Sequence, residues 1–309
     1  MFGRRSNRFS TLIIIVAEIC VLTFAIMATG QSDLKQQLND QYKGKTFILR
    51  GFYSGHRLKY DSGGHVIDPP ASGDWPVAGV VHVDDLRISG GHLKIEARRV
   101  HLGWIGGAFQ ELHDQIGKFD SDEKSNRSLR IEADLASSSA DSVLSQIFLT
   151  SRDNFADLVP DYWKPCVRAA LTGNGGKEYS ACHFSKEFVA IPGVAYNSSA
   201  SAEDESTSGE TDGAVSRPGR DIHPPKPISH KEPEFSDEAR RAKYQGVVVV
   251  SFVVDKTGQP RNIRIQKPMG MGLDRKAVET VSQWQFVPGT KDGEAIAVEL
   301  AAETEFHLY

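Results

Sequence analysis

The residue types that most often carry out chemistry in proteins are scattered through the first part of this 309-residue chain. The histidines between positions 56 and 113 form neither a His-Glu-x-x-His motif nor an i,i+4 pair, the spacings that place two ligands on one side of a metal. The adjacent carboxylates Asp84 and Asp85 lie on a predicted strand, where neighbouring side chains point to opposite faces. Ser139 and Ser142 are not framed as Gly-x-Ser-x-Gly. We therefore predict that the chain is not an enzyme and needs neither a metal ion nor a cofactor.

Two short motifs suggest ligand binding at first sight. The stretch Lys43-Gly-Lys-Thr46 resembles part of a phosphate-binding loop, but it lacks the upstream glycine and leads into a strand, so it predicts no nucleotide site. Residues 103–107, which include Trp104 between glycines, predict a loop with an aromatic plug, and a ligand-binding loop is the alternative. The net charge of -4 gives no indication of a nucleic-acid partner.

Residues 1–30 have the composition of an export segment. Arginines at positions 4, 5 and 8 precede an apolar run over 11–28, and Ala28-Thr-Gly30 matches a cleavage site. A membrane-spanning helix needs about 20 apolar residues. The run is therefore either cleaved near Gly30 as a signal peptide or retained as an inner-membrane anchor, although Glu18 is costly at bilayer depth. Both alternatives place the rest of the chain in the periplasm.

Export determines how the cysteines are interpreted. Cys20 lies in the apolar run, which leaves Cys166 and Cys182, and in an oxidising compartment these two are expected to form a disulfide. Closing a loop of about 15 residues stabilises a fold by about 3 kcal/mol in the chain-entropy model. A redox or metal-binding pair is the alternative, but the spacing is not Cys-x-x-Cys.

Residues 31–195 have the pattern of a β-rich domain with a few helices. An amphipathic helix over 34–42 is followed by strand patterns at 46–52, 58–60, 77–84 and 92–100, separated by glycine-rich turns. This spacing predicts an antiparallel sheet or a partly closed barrel. Helices are predicted at 140–149 and 160–170. The segment resembles no family that we identify.

Residues 196–232 form a predicted flexible linker. Its first half is rich in serine and acidic residues and cannot build a core. Its second half mixes prolines with Lys226, Lys231 and two arginines, a composition that favours an extended spacer.

Residues 233–309 have the pattern of a small α+β domain, and the α+β class is predicted for the chain. A β-branched strand over 247–254, a turn ending at Gly258 and a return strand over 262–266 predict a hairpin. Apolar residues at helical spacing follow from Leu273 to Trp284. Residues 296–308 then alternate between apolar and polar, which predicts a last strand with one buried face in a three-stranded antiparallel sheet. We expect the edge of this last strand to be exposed.

The order of these motifs resembles the C-terminal domain of the TonB family of energy transducers. One departure is Phe235, where the family more often has tyrosine, and the run 11–28 lacks the histidine that the family's anchor carries. The resemblance rests on Pro233, Phe235, Ala239, Gly246, Gly258, Leu273, Asp274, Ala277, Trp284, Phe286, Pro288 and Gly293.

The resemblance implies a transducer that engages outer-membrane TonB-dependent transporters and inner-membrane motor proteins. An extended transporter peptide would add to the last strand through main-chain hydrogen bonds. Two alternatives stay open: an exported binding or scaffold protein whose module docks peptides without being energised, and a homodimer formed through the same edge. The predicted edge residues are Ile296, Val298, Glu299, Leu300, Ala302, Glu303, Thr304 and Phe306.

Overall fold

The computed structural model describes residues 33–112, 127–135, 138–194, 215–217, 221–229 and 231–308. The predicted export segment and the acidic half of the predicted linker lie outside the described residues. None of the helices within these ranges is long and apolar enough to cross a membrane. Helices and strands are mixed along the chain, which confirms the α+β class.

The N-terminal part is built on a six-stranded sheet with the order β1-β4-β5-β8-β2-β3. The pairings are antiparallel except for β2 with β8, which run parallel. The alternation of β5, with Leu93, Ile95 and Ala97 buried, directs one face to a core. The strands are β1 (Thr46–Ile48), β2 (Arg57–Tyr60), β3 (Val66–Ile67), β4 (Val80–Ser89), β5 (His92–Arg99) and β8 (Ser128–Asp134).

Two helices cover one face of this sheet. Helix α1 spans residues 33–42 and buries Leu38 and Tyr42. Helix α3 (Ala140–Ile147) begins at Ser139, whose side chain accepts a hydrogen bond from the backbone N–H of Ser142. The ring of Phe148 stacks on those of Tyr42 and Phe47 where these helices meet the sheet.

Two predicted elements of this part were wrong. The predicted strand 77–84 begins with helix α2 (Trp75–Ala78), and the strand itself starts only at Val80. A short apolar run does not distinguish a strand from a helix, and Pro76 favours a helix start at this point. The predicted loop 103–107 is a hairpin of β6 (Leu102–Ile105) and β7 (Ala108–Glu111), with Gly106 and Gly107 in its turn.

An aromatic core lies beside the sheet. Trp75 is fully buried and contacts the rings of Phe109, Phe155 and Trp163 at 5.1–5.4 Å between centroids. The predicted disulfide between Cys166 and Cys182 closes this region, so that prediction is confirmed. The helices that enclose the core are α4 (Phe155–Leu158), α5 (Lys164–Thr172) and α6 (Lys186–Val189).

The C-terminal part contains the predicted three-stranded antiparallel sheet, with the order β11-β10-β15. Strand β10 (Gly246–Val254) forms the predicted hairpin with β11 (Pro260–Lys267). Strand β15 (Val298–Phe306) pairs with β10 along its whole length. The remaining elements are α7 (Asp237–Arg241), α8 (Leu273–Val281), β12 (Gln285–Val287), β13 (Gly289–Lys291) and β14 (Glu294–Ile296).

The second half of the predicted linker differs from a free spacer. Strand β9 (Lys226–Ser229) pairs with β12, and His223 exchanges two backbone hydrogen bonds with Thr290. Pro227 has no N–H to donate, which suits an edge strand. Residues 223–229 therefore pair with strands β12 and β13 (Gly289–Lys291) of the C-terminal part.

The N-terminal and C-terminal parts pack against each other. Their buried side chains form one continuous core that joins Trp163 to Ile265 and Met271. Hairpin β6–β7 reaches the segment before α8, where Trp104 N–H donates to the Met269 carbonyl at 2.9 Å and Met271 N–H donates to the Leu102 carbonyl at 3.0 Å. A Cβ on Gly270 would lie 2.2 Å from the Leu102 oxygen, so only glycine fits this contact.

Candidate partner-binding edge

The C-terminal sheet has two outer strands, and the N-terminal part covers the first of them. Ile265 N–H on β11 donates to the Tyr162 carbonyl at 2.9 Å, and helix α5 packs on this strand. Nearby, the Tyr244 hydroxyl accepts from Trp104 N–H at 3.0 Å and lies 3.0 Å from the Met269 carbonyl. Edge β11 is thus occupied by the chain itself.

The second outer strand, β15, keeps part of its edge open. In an antiparallel pair, backbone groups point alternately toward the partner strand and away from it. Glu299 N–H points away from β10, because it donates to Ser216. By the same alternation, the backbone N–H and carbonyl groups of Ala301, Glu303 and Glu305 point away from β10. Their N–H groups have no backbone acceptor among the described residues. The open edge therefore spans 301–305.

The chain's own residues 215–217 occupy the beginning of the same edge. Ser216 forms a parallel bridge with Val298. Its N–H donates to the Ala297 carbonyl and its carbonyl accepts from Glu299 N–H, both at 3.0 Å. Arg217 forms an ion pair with Glu299 at 3.1 Å. This contact, which we call the 215–217 strap, was not predicted, because no turn or strand pattern marks it in the linker sequence.

The side chains of β15 divide between a buried and an exposed face. Phe306 packs edge-on against Phe235, with centroids 5.6 Å apart. Glu303 and Glu305 are exposed. The inner face of the strand is formed by Val298, Thr304 and Phe306, which are buried, and by Leu300 and Ala302, which are half-buried.

One predicted edge residue lies elsewhere. Ile296 belongs to β14, which pairs with β13 in a separate hairpin, so the predicted strand 296–308 is divided at Ala297. The hairpin turn at Asp292 and Gly293, both with positive φ, sends the chain back on itself before it joins the main sheet. The seven other predicted edge residues lie together on β15.

The turn between β10 and β11 is held by Asp255 and by a close backbone approach. Burial raises the pKa of Asp255, but hydrogen bonds from Thr257, Gln259 and Arg261 lower it to about 2. A Cβ on Gly258 would lie 1.9 Å from the Phe286 carbonyl oxygen, and Phe286 N–H donates to the Gly258 carbonyl at 3.0 Å. The backbone contact between Gly258 and Phe286 thus holds the turn against the Trp-x-Phe-x-Pro segment.

Several of the remaining motif residues are buried in the C-terminal part. Asp274 is fully buried, and its two oxygens accept from Met269 N–H at 2.8 Å and Gly270 N–H at 2.6 Å. These bonds hold the segment that contacts hairpin β6–β7. Leu273, Ala277 and Ala239 are fully buried. The indole N–H of Trp284 donates to the Lys231 carbonyl, and Pro233 and Pro288 are half-buried. Gly246 lies at the start of β10, and Gly293 lies before β14.

The open edge of β15 presents backbone N–H and carbonyl groups. Over the part of the chain that the structure describes, no group of three or more histidine, cysteine, aspartate or glutamate residues is placed to hold a metal ion. The open edge instead offers unpaired donors and acceptors beside the acidic side chains of Glu303 and Glu305. Such an edge can accept an extended peptide as a further strand.

Comparisons with known proteins concern only the C-terminal part. The family model described as Gram-negative bacterial TonB protein C-terminal matches residues 231–308. Over 82 residues the chain is 36% identical to Protein tonB2 of Pseudomonas aeruginosa, which covers 26% of this chain and 30% of that protein. A solution NMR structure of the Pseudomonas aeruginosa TonB CTD aligns with 31% of this chain and 99% of that chain, at 19% identity and a TM-score of 0.25.

Proposed function

Residues 231–308 are a C-terminal domain of the TonB family, and from this premise we propose that the chain is a TonB-like energy transducer of the cell envelope. In this proposal the domain docks onto outer-membrane transporters by strand addition and so supports transport across that membrane. The observation that carries the proposal is the open edge of β15 at 301–305, on a sheet whose other edge the chain covers itself.

Main-chain pairing supplies the affinity in this mechanism. Ala301, Glu303 and Glu305 each offer one outward N–H and one outward carbonyl to a peptide. Each net hydrogen bond contributes about 1 kcal/mol, so a fully paired peptide gains several kcal/mol before the cost of its own ordering. The two exposed glutamates would favour a peptide with basic or neutral side chains beside them.

The arrangement of strands also suits the transmission of force. Nine residue pairs join β15 to β10, from Gly246 with Phe306 to Val254 with Val298. A pull directed along β15 would load these hydrogen bonds together, whereas a pull across the pair would break them one after another. Strand β10 passes the load to β11, which the N-terminal part holds through Tyr162.

The proposed location is the periplasm. Residues 11–28 would anchor the chain in the inner membrane beside a motor partner, or the chain would be released by cleavage near Gly30. The same edge is less suited to a homodimer, because Glu303 and Glu305 would approach their own copies across a two-fold pairing, and like charges directly opposite each other destabilise a strand pair.

The experiment uses synthetic peptides from the N-terminal ends of outer-membrane transporters and measures their binding to the full chain by fluorescence anisotropy. We expect Glu303→Pro to reduce binding about fivefold, because proline removes one outward donor worth about 1 kcal/mol, whereas Glu303→Gln keeps that donor. Equal binding by both Glu303 variants would contradict strand addition.

A second experiment distinguishes a retained anchor from a cleaved signal peptide. The producing cells are fractionated, and the intact mass of the mature chain is measured. A chain that begins near Gln31 and is soluble would favour a non-energised docking module.

A further inference from the structure

The 215–217 strap uses the same kind of backbone bonds on β15 that a docked peptide would use. Ser216 N–H donates to the Ala297 carbonyl, and the Ser216 carbonyl accepts from Glu299 N–H, both at 3.0 Å. These two bonds are the pattern that one residue of a parallel strand makes with its neighbour, and Ser216 bridges Val298 in this sense. The strap is therefore a very short strand, supplied by the chain itself, on the edge that we propose a partner uses.

The strap is held almost entirely by its backbone. Val215 is 45% exposed, and the ion pair of Arg217 with Glu299 lies at the surface, where such pairs contribute little to stability. Farther along the chain the contact with the C-terminal part is different, because Pro225 is buried against Gly289. A strand that is held by main-chain hydrogen bonds alone can be replaced by another extended peptide.

The sequence prevents the strap from extending along β15. In a parallel pair, alternate residues of one strand bond to the other strand, so the next donor after Ser216 would be residue 218. That position, which lies outside the described residues, is Pro218, and proline has no N–H to donate to the Glu299 carbonyl. The position of this proline fits an edge that is open from Ala301 onward.

The strap is tethered close to its place on the edge. Only residues 218–222 separate it from His223, whose backbone exchanges two hydrogen bonds with Thr290. A short tether keeps a segment near its binding site at an effective concentration of about a millimolar. A peptide that approaches this end of β15 therefore competes with a segment that is always nearby.

We propose that the 215–217 strap is an autoinhibitory strand of the docking edge. It blocks residues 297–299, so a transporter peptide that pairs with the whole of β15 must displace it. Pro218 confines the strap to the beginning of the strand and leaves 301–305 free for the first contact. The inference rests on the proposed function, because the competing ligand is the transporter peptide.

The binding test compares two labelled transporter N-terminal peptides by fluorescence anisotropy on the full chain. A five-residue peptide matches the length of 301–305, and a nine-residue peptide matches 297–305. One net hydrogen bond corresponds to about fivefold in affinity. Ser216→Pro should tighten the nine-residue peptide by up to about fivefold and leave the five-residue peptide unchanged. Pro218→Ala lets the strap extend and should weaken the five-residue peptide about fivefold. The exposed Pro224→Ala is the matched control and should change neither.

Amide hydrogen exchange, measured by NMR on the full chain, follows the strap itself. In the free wild type, the N–H groups of Ser216 and Glu299 should be protected, and Ser216 should lose its protection when the nine-residue peptide binds. In free Pro218→Ala, the N–H of Ala301 should become protected without any peptide, because the longer strap would cover it. Pro224→Ala should leave the exchange of Ala301 unchanged.

The outcomes separate this inference from the proposed function. The inference is overturned if Ser216 stays protected with the nine-residue peptide bound, or if Pro218→Ala changes neither peptide affinity nor the exchange of Ala301. Binding of peptide by neither the wild type nor Ser216→Pro would refute the proposed docking instead. The exchange of Ala301 in free Pro218→Ala would then still decide whether Pro218 limits the strap.

Discussion

The contact between hairpin β6–β7 and the segment before α8 allows a sharp test of how the two parts are joined. At Gly270, φ is +82°, and an added Cβ would lie 2.2 Å from the Leu102 oxygen and 2.9 Å from the Gly103 Cα. Both neighbours are backbone atoms, so neither can move by a side-chain rotation. Gly270→Ala should therefore force this contact apart.

The magnitude follows from two contributions. An alanine in the left-handed region costs about 1 kcal/mol. Opening the contact also removes the hydrogen bonds of Trp104 N–H and Met271 N–H, at 2.9 and 3.0 Å, which contribute about 1 kcal/mol each. We expect Gly270→Ala to lower the free energy of unfolding by about 3–4 kcal/mol, and to increase proteolytic cleavage at the β6–β7 hairpin.

Gly293 provides the matched control. Its φ is +85°, and nothing lies within 4 Å of the position that its Cβ would take. Gly293→Ala should therefore cost only the conformational term of about 1 kcal/mol. Urea unfolding followed by circular dichroism measures both variants. Equal destabilisation by the two substitutions would refute the close approach between Gly270 and the Leu102 carbonyl.

Three further predictions concern a charge, a disulfide and the strap. Burial raises the pKa of Asp74 to about 7, above its unfolded value, so its contribution to stability is lost as pH rises through about 7. Asp74→Asn should thus stabilise the chain at pH 8 by about 2–4 kcal/mol and by little at pH 4 in urea titrations; an unchanged difference would contradict this. Reduction of Cys166–Cys182, 16 residues apart, should cost about 3 kcal/mol, measured by unfolding with and without reductant against Cys166→Ser. Ser216→Pro removes the strap's N–H donor and should strengthen transporter-peptide binding several-fold by anisotropy, whereas Ser216→Ala, which keeps the N–H, should not.

Local sequence patterns predicted the elements that are formed by residues close together in the chain. The β-branched run before Gly258 predicted β10 and its hairpin, and helical spacing from Leu273 predicted α8. The predicted export segment and the two cysteines outside it led to the prediction of the disulfide. In each case the signal lies within a few residues or depends on composition alone.

The unpredicted features depend on contacts between distant residues. Nothing near Gly270 in the sequence indicates that the Leu102 carbonyl lies against it, and nothing near Ser216 indicates a place beside Val298. Asp74 precedes Trp75-Pro76 and has the sequence context of an ordinary helix start. Its burial against Arg275 arises only when the two parts pack together.

Amide hydrogen exchange at 301–305 distinguishes an open edge of β15 from a covered one. Exchange is measured by NMR on the full chain, with and without a saturating transporter N-terminal peptide. Strand addition predicts that the N–H groups of Ala301, Glu303 and Glu305 exchange rapidly in the free chain and become protected by the peptide. The N–H groups of Leu300 and Ala302, already paired with β10, should change little. Protection that appears elsewhere in the chain while these three amides stay unprotected would contradict the proposed docking.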